Sequence, residues 1–330
     1  MPTRSPWLRR LAAVALAAAT LHAQAAGAAE DVRADTREDI REFGDGARRL
    51  RIVVENAPDP ARAALLQGWL NECARAASTA FGQLPLDYAE VRIREVPPGR
   101  DRSPVPWGQT RRDADGVAVL LFVRADAGLD ELRADWTAVH ELAHLFHPFL
   151  GDDGRWLAEG LASYYQNVLR ARAGLLSADE AWRRLDAGFA RGRRVGPGAR
   201  MDAIGRGRAG TMRVYWAGAA YWLDADVTLR REHGSSLDRV LARYARCCLD
   251  GGAELSPEQF VAALDRAGGA GVFARLYRRH AALREFPAQQ ASYTALGLSV
   301  EDGRLQFSQR ADAARLRAAI MRAPAAPDAR

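Results

Sequence analysis

His140-Glu141-Leu142-Ala143-His144 is the stretch whose reading decides the fold of this 330-residue chain. On an α-helix, residues four apart stand one turn above each other on one face. Both imidazoles can then reach one Zn²⁺, and the glutamate between them can hold a water against it. The helix is predicted independently: Leu132, Trp136, Val139, Ala143 and Phe146 recur at helical spacing, and Pro148 stops the run.

Working outward, Glu159 follows in Trp156-Leu157-Ala158-Glu159-Gly160-Leu161-Ala162-Ser163-Tyr164-Tyr165. Ala158 to Leu169 is apolar at helical spacing, so Glu159 is expected near the start of a second helix. The glycine-bounded turn 151–154 precedes it, and an antiparallel return can bring the carboxylate to the open side of the histidines. Three protein ligands leave a fourth position for water and substrate, which is the pattern of a catalytic zinc rather than a closed structural one. In that pattern His140, His144 and Glu159 hold one Zn²⁺ per chain, and Glu141 is the general base.

The two motifs together resemble the gluzincin metallopeptidases, specifically the aminopeptidase N and glycyl aminopeptidase families. The resemblance runs over about residues 116–250. It implies an α+β, thermolysin-like catalytic domain, with a small α/β N-terminal lobe and a mainly α-helical C-terminal lobe. It also implies Zn²⁺ as cofactor, a peptide or protein as substrate, and Glu159 as the third ligand. Tyr215-Trp216-Ala217-Gly218 is similar to a Tyr-x-Lys-Gly segment of those families, whose tyrosine stabilises the transition state; Ala217 stands where the lysine is usual. Leu223-Asp224, Thr228-Leu229-Arg230 and Gly234-Ser235-Ser236-Leu237-Asp238 look most like the glycyl aminopeptidase helix and the turn after it.

One segment departs from the resemblance. Aminopeptidase N relatives carry Gly-x-Met-Glu-Asn before the zinc helix, and its glutamate holds the free amino terminus of the substrate. Here no glutamate lies between Glu95 and Glu131; the acids nearest the segment Trp107-Gly108-Gln109-Thr110 are Asp113 and Asp115. The expectation is therefore metal-dependent peptide hydrolysis with end preference open. The alternatives are an aminopeptidase with a non-standard amine-binding group, a catalytically weak binding or assembly protein on the same fold, and hydrolysis of another amide or an ester.

The start of the chain supplies an address. Arg4, Arg9 and Arg10 precede an apolar run from Leu11 to Leu21, with small residues at 23–28, as in a cleavable secretory signal peptide. The run is too short to span a bilayer, so no stable membrane insertion is expected after cleavage. The expected location is periplasmic or secreted. Losing the leader lowers the formal charge from +6 to +3, and all basic residues are arginine, which argues against a nucleic-acid partner. The arginine-rich stretch 191–208 reads as a solvated loop, with an acid-attracting rim as the other reading. Cys73, Cys247 and Cys248 lie away from the metal motifs. Either Cys73 pairs with one of the other two, or it is a free buried thiol.

The expected organisation is a signal peptide (1–28), a flexible lead-in (29–50), an α/β lobe carrying the zinc helix (51–150), a mainly helical lobe carrying Glu159 (151–322) and a disordered tail (323–330). Strands are expected at 51–55, 88–96 and 116–123, a helix at 60–81 and a loop at 97–115. Ser177, Ser236 and Ser256 read as helix caps, and 295–307 as a hairpin through Asp302-Gly303. His147 is expected beside the metal ligands more than as one of them. Ser163 is a candidate for orienting a ligand, and Tyr221 and His233 are substitutes for Tyr215. The strand 116–123 is either a buried strand or an edge that pairs with peptide.

Overall fold

The computed structural model describes residues 37–44, 47–100, 102–113, 116–205 and 210–323. The expected signal peptide, all but residue 323 of the expected tail, and residues 206–209 of the arginine-rich stretch lie outside the described residues. Chain contacts separate Met1–Glu38 from Asp39–Arg330, and only residues 37 and 38 of the first unit are described.

A five-stranded sheet has the order β1-β2-β3-β5-β4, with β1 Glu38–Gly44, β2 Arg49–Glu55, β3 Tyr88–Val96, β4 Trp107–Asp113 and β5 Gly116–Arg124. Strands β2, β3 and β5 are parallel, and β4 runs antiparallel on the outer side of β5, Gln109 opposite Leu120. Period-two alternation gives the sheet one apolar face: Val117, Val119, Leu121 and Val123 of β5 are buried, while the residues between them are half-exposed. Helix α1 (Pro60–Ser78) covers that face with Leu66, Trp69, Leu70 and Cys73. The opposite face carries a ladder of ion pairs in which Glu90 joins Arg51 and Arg92, and Glu55 joins Arg92 and Arg94.

Two expectations are corrected here. Residues 38–44 of the expected flexible lead-in form β1, and residues 107–113 of the expected loop form β4. Both are edge strands with charged and exposed side chains, a composition common on sheet edges that resembles a linker in sequence. In consequence β5 is an interior strand, and β4 is the edge beside the metal helix.

The rest is helical apart from one hairpin. After α2 (Leu129–Ala134) and α3 (Thr137–Ala143) come α4 (Arg155–Arg172), α5 (Ala178–Arg194), α6 (Thr211–Glu232) and α7 (Leu237–Cys247). Next come α8 (Pro257–Leu264), α9 (Val272–Ala281), α10 (Gln290–Leu296) and α11 (Ala311–Met321). The side chains of Ser177, Ser236 and Ser256 each accept from the amide three residues on, as caps do. Strands β6 (Leu298–Glu301) and β7 (Arg304–Phe307) turn through Asp302 and Gly303, at φ 49° and 72°.

Helix α4 is the centre of the molecule and is buried along nearly its whole length. It crosses α6 at Gly160 and Gly218. A Cβ on Gly218 would meet the Trp156 carbonyl oxygen at 1.9 Å, and one on Gly160 would meet the Gly218 Cα at 2.4 Å. Only hydrogen allows this approach, and the Trp222 indole locks it by donating to the Leu157 carbonyl at 2.8 Å. A buried polar network ties α7 to the same pair. Tyr164 donates to Asp226, Tyr165 donates to Asp238, and Arg172 makes two 2.9 Å hydrogen bonds to Asp238. Every member of that network has a partner, which is the condition under which buried charge is tolerated.

Candidate metal centre

The expected helix through 132–146 is broken at Asp135 and Trp136, then resumes as α3 and tightens into a 3₁₀ turn at His144–Phe146. Asp135 accepts from the Thr137 amide at 2.7 Å and so restarts the helix. At the far end Arg112 of β4 donates to the carbonyls of His144 and His147 at 2.6 and 2.7 Å, a cation on the helix terminus that carries partial negative charge. Burial lowers its pKa to about 10.

Strand β4 lies against α3 because residue 108 is glycine. A Cβ there would meet Glu141 Cγ at 2.7 Å and Thr137 Cγ2 at 2.9 Å. One step of the alternation further, the Thr110 hydroxyl is placed 3.0 Å from both the Glu141 carbonyl and its carboxylate, to which it donates. Glu141 is thus buried and oriented from outside its own helix.

His140, Glu141 and His144 form a group whose potential ligand atoms lie within 4.8 Å of one another. Glu159, one turn into α4, also reaches both histidines: its Oε2 is 3.3 Å from His140 Nε2 and 3.7 Å from His144 Nε2. Ligand atoms about 2.1 Å from a tetrahedral zinc are about 3.4 Å apart, so these two separations fit a shared ion. Of the two glutamates, Glu141 is already held by Thr110, whereas Glu159 makes its contacts with the imidazole nitrogens. Both carboxylates are thus within reach of an ion between the two histidines, Glu159 through its contacts with the imidazole nitrogens and Glu141 turned beside them by Thr110.

The tautomers fit as well. His140 Nδ1–H donates to Gln166 Oε1 at 2.8 Å, and Nε2, 3.3 Å from Glu159, is the nitrogen on which an ion would replace the proton shared with that carboxylate. His147 Nδ1–H donates to the Pro148 carbonyl at 2.6 Å, so its Nε2 accepts from His144 Nδ1–H at 3.0 Å, and His144 Nε2 is left free in turn. Burial pushes His147 down to about 3 and keeps it neutral for this relay. His147 therefore supports His144 from behind. Gln166, not Ser163, is the hydrogen-bond partner of His140.

The carboxylates are driven apart electrically. Burial pushes Glu141 up to about 6. Burial works the same way on Glu159, but its hydrogen bond with His140 and the charges of both histidines hold it at about 2. Tyr215 completes the group. Its ring stacks on His140 with centroids 5.7 Å apart and planes 6° from parallel, and its hydroxyl is hydrogen-bonded to Glu159. Burial first, then the Glu159 charge, raise the phenol pKa, so it remains a donor. The Gly160–Gly218 crossing creates this contact, since Glu159 and Tyr215 flank it on their helices.

The structure brings His140, Glu141, His144, Glu159 and Tyr215 together, and separates the substitutes. Tyr221 is buried and donates to the Phe273 carbonyl, while His233 is exposed at the end of α6. Asp113 ends β4 on its exposed side, and Asp115 lies outside the described residues. Thr110, Arg112 and Gln166 carried no signal of their own in sequence, although Gln166 is seven residues, two turns, after Glu159 and so shares its helix face.

Comparison with known proteins agrees with this geometry. A family model described as M61 glycyl aminopeptidase matches residues 141–207. Among solved structures, an aminopeptidase N family protein from Idiomarina loihiensis superposes with TM-score 0.58 at 13% identity, covering 80% of this chain and 50% of that one. The chain has a gluzincin, aminopeptidase-like fold. An M1 zinc metallopeptidase from Deinococcus radiodurans superposes with TM-score 0.51 at 19% identity, covering 77% of this chain and 53% of that one. The chain spans about half the length of those structures. No curated protein sequence matches it. The family match is to glycyl aminopeptidases and the fold is like that of aminopeptidase N family proteins, which bears out the resemblance read from the two motifs.

Proposed function

We propose that this chain is an exported zinc peptidase that hydrolyses peptide bonds with a metal-activated water. The observation that supports it most is the convergence of His140, His144 and Glu159 with separations suited to one ion, and Glu141 held beside them by Thr110. A bound Zn²⁺ lowers the pKa of water to about 7 and polarises the scissile carbonyl. Glu141 takes the proton of the attacking water and passes it to the leaving amine. Thr110 keeps the carboxylate turned toward the ligands, and Gln166 and His147 hold the imidazoles in the tautomers that present Nε2. Tyr215, protonated at neutral pH, donates to the oxyanion when its hydroxyl leaves Glu159.

Strand β4 is the sheet edge next to Glu141, with an unpaired outer side on which an extended peptide can align by main-chain hydrogen bonds. Its residues against the zinc helix are Gly108 and Thr110, and β4 carries no glutamate. A free amino terminus is therefore not a requirement for cleavage in this proposal. The Cys247–Cys248 disulfide supports export, since such bonds persist in oxidising compartments.

Cleavage of a library of free and N-acetylated peptides tests the proposal. Wild-type protein should cut both classes, Glu141→Gln should cut neither while keeping stoichiometric zinc, and Tyr215→Phe should lose about 10²-fold in kcat. Equal turnover by wild type and Glu141→Gln would overturn the peptidase reading. Cleavage confined to free amino termini would overturn the absence of an amine requirement.

A further inference from the structure

A groove far along the chain from the metal motifs lies between the end of α6, helix α7 and helix α11, with a cavity volume of about 1020 Å³. Its polar lining is dominated by guanidinium groups. Arg239, Arg243 and Arg246 project from one face of α7 at spacings of four and three, and Arg315 and Arg322 line the α11 side at a spacing of seven. Each row runs about 10 Å along its helix, at 1.5 Å per residue.

The charges are not neutralised by the protein. The two acids on the lining already have partners: Asp238 is held by Arg172 and by Arg230 of the lining itself, and Asp312 by Arg310. Among the described residues, Arg231, Arg243, Arg246, Arg315 and Arg322 make no ion pair and no side-chain hydrogen bond, although all five are exposed and line this groove. Arginines elsewhere do find acids, as Arg62 does with Glu95 and Arg133 with Glu72. Five like charges around one concavity repel each other, an arrangement that a bound anion relieves.

The donor set also selects the kind of anion. Guanidinium offers only donors, and Ala242, Ala295, Leu316 and Ala319 of the lining have side chains that offer neither donors nor acceptors. A peptide brings amide donors that the guanidinium groups cannot accept. A chain of phosphoryl groups brings only acceptors, in the geometry that guanidinium binds bidentately. We propose that this groove is a binding site for a soluble ligand carrying several phosphate groups spread over about 10 Å.

Calorimetric titration of the full chain with sodium tripolyphosphate tests this, beside vesicles of phosphatidylglycerol. Wild-type protein should bind tripolyphosphate with micromolar affinity that falls as salt rises. Arg243→Ala/Arg315→Ala should weaken it about tenfold or more, whereas Arg100→Ala/Arg304→Ala, which removes the same charge outside the groove, should change it by less than about twofold. Should the groove double variant fail to fold, Arg246→Ala alone should weaken binding about threefold. No binding by wild type, equal loss in both double variants, or binding to vesicles without binding to tripolyphosphate would each overturn the proposal.

Discussion

Replacing Gly218 by alanine tests how the helix crossing builds the metal centre. The added Cβ would sit 1.9 Å from the Trp156 carbonyl oxygen. Ordinary carbon–oxygen contact begins at about 3.3 Å, so α4 and α6 must part by more than about 1 Å at the crossing. The obstacle is backbone, which cannot swing aside as a side chain does, so the cost should lie near the upper end for overpacking, about 3 kcal/mol. That corresponds to a melting temperature lower by about 6–12 °C. Glu159 and Tyr215 flank the crossing, and a displacement of about 1 Å at a reacting group is worth about 10²-fold in rate. Urea unfolding and peptide hydrolysis should therefore both register the change. Gly68→Ala in α1 is the control: nothing lies within 4 Å of the new methyl group, and stability should rise by about 0.5–1 kcal/mol. A Gly218→Ala protein within about 0.5 kcal/mol of wild type would refute the reasoning, because it would show that the two helices are not held at contact by the glycines.

Three further outcomes are expected. Gln166→Leu removes the acceptor that fixes the His140 tautomer, and competition with a chelator should show zinc affinity lower by about 10–100-fold with the fold intact. In the native protein neither thiol-specific reagents nor alkylation should label any cysteine, because burial pushes the Cys73 thiol up to about 12 and Cys247 is joined to Cys248; mass spectrometry after unfolding without reduction should find Cys73 alone labelled. Glu55 sits where burial would raise its pKa, but hydrogen bonds from Arg92 and Arg94 hold it below the usual carboxylate value. A depressed pKa contributes stability above the unfolded value of about 4.3 that is lost as pH falls through the folded one. Denaturation of Glu55→Gln should thus show a deficit of about 1 kcal/mol at pH 7 that shrinks below about pH 4.

How much of this was legible in sequence depends on the range of the interaction involved. Caps are local, so Ser177, Ser236 and Ser256 could be read directly, as could the Asp302-Gly303 turn. The metal motif is half local: His140 and His144 are one turn apart, and Glu159 enters through a short turn that the glycines at 151 and 154 announce. Partners set by tertiary packing were not legible. Thr110 meets Glu141 only because Gly108 lets an edge strand lie on α3, and nothing in the stretch 97–115 distinguishes that strand from a charged loop. The cysteines were legible in part, since a free buried Cys73 was one of the two readings. Their pairing was open between two readings that both involved Cys73, and the structure leaves Cys73 free in the core and joins Cys247 to its neighbour at the end of α7.

The central claim is that His140, His144 and Glu159 hold the ion and Glu141 does not. A zinc-edge anomalous difference map from crystals of the protein tests it directly. The account predicts one peak per chain, about 2.1 Å from His140 Nε2, His144 Nε2 and a Glu159 carboxylate oxygen, with Glu141 outside bonding distance. A peak bonded to Glu141 in place of Glu159, or no peak between the two histidines, would contradict it.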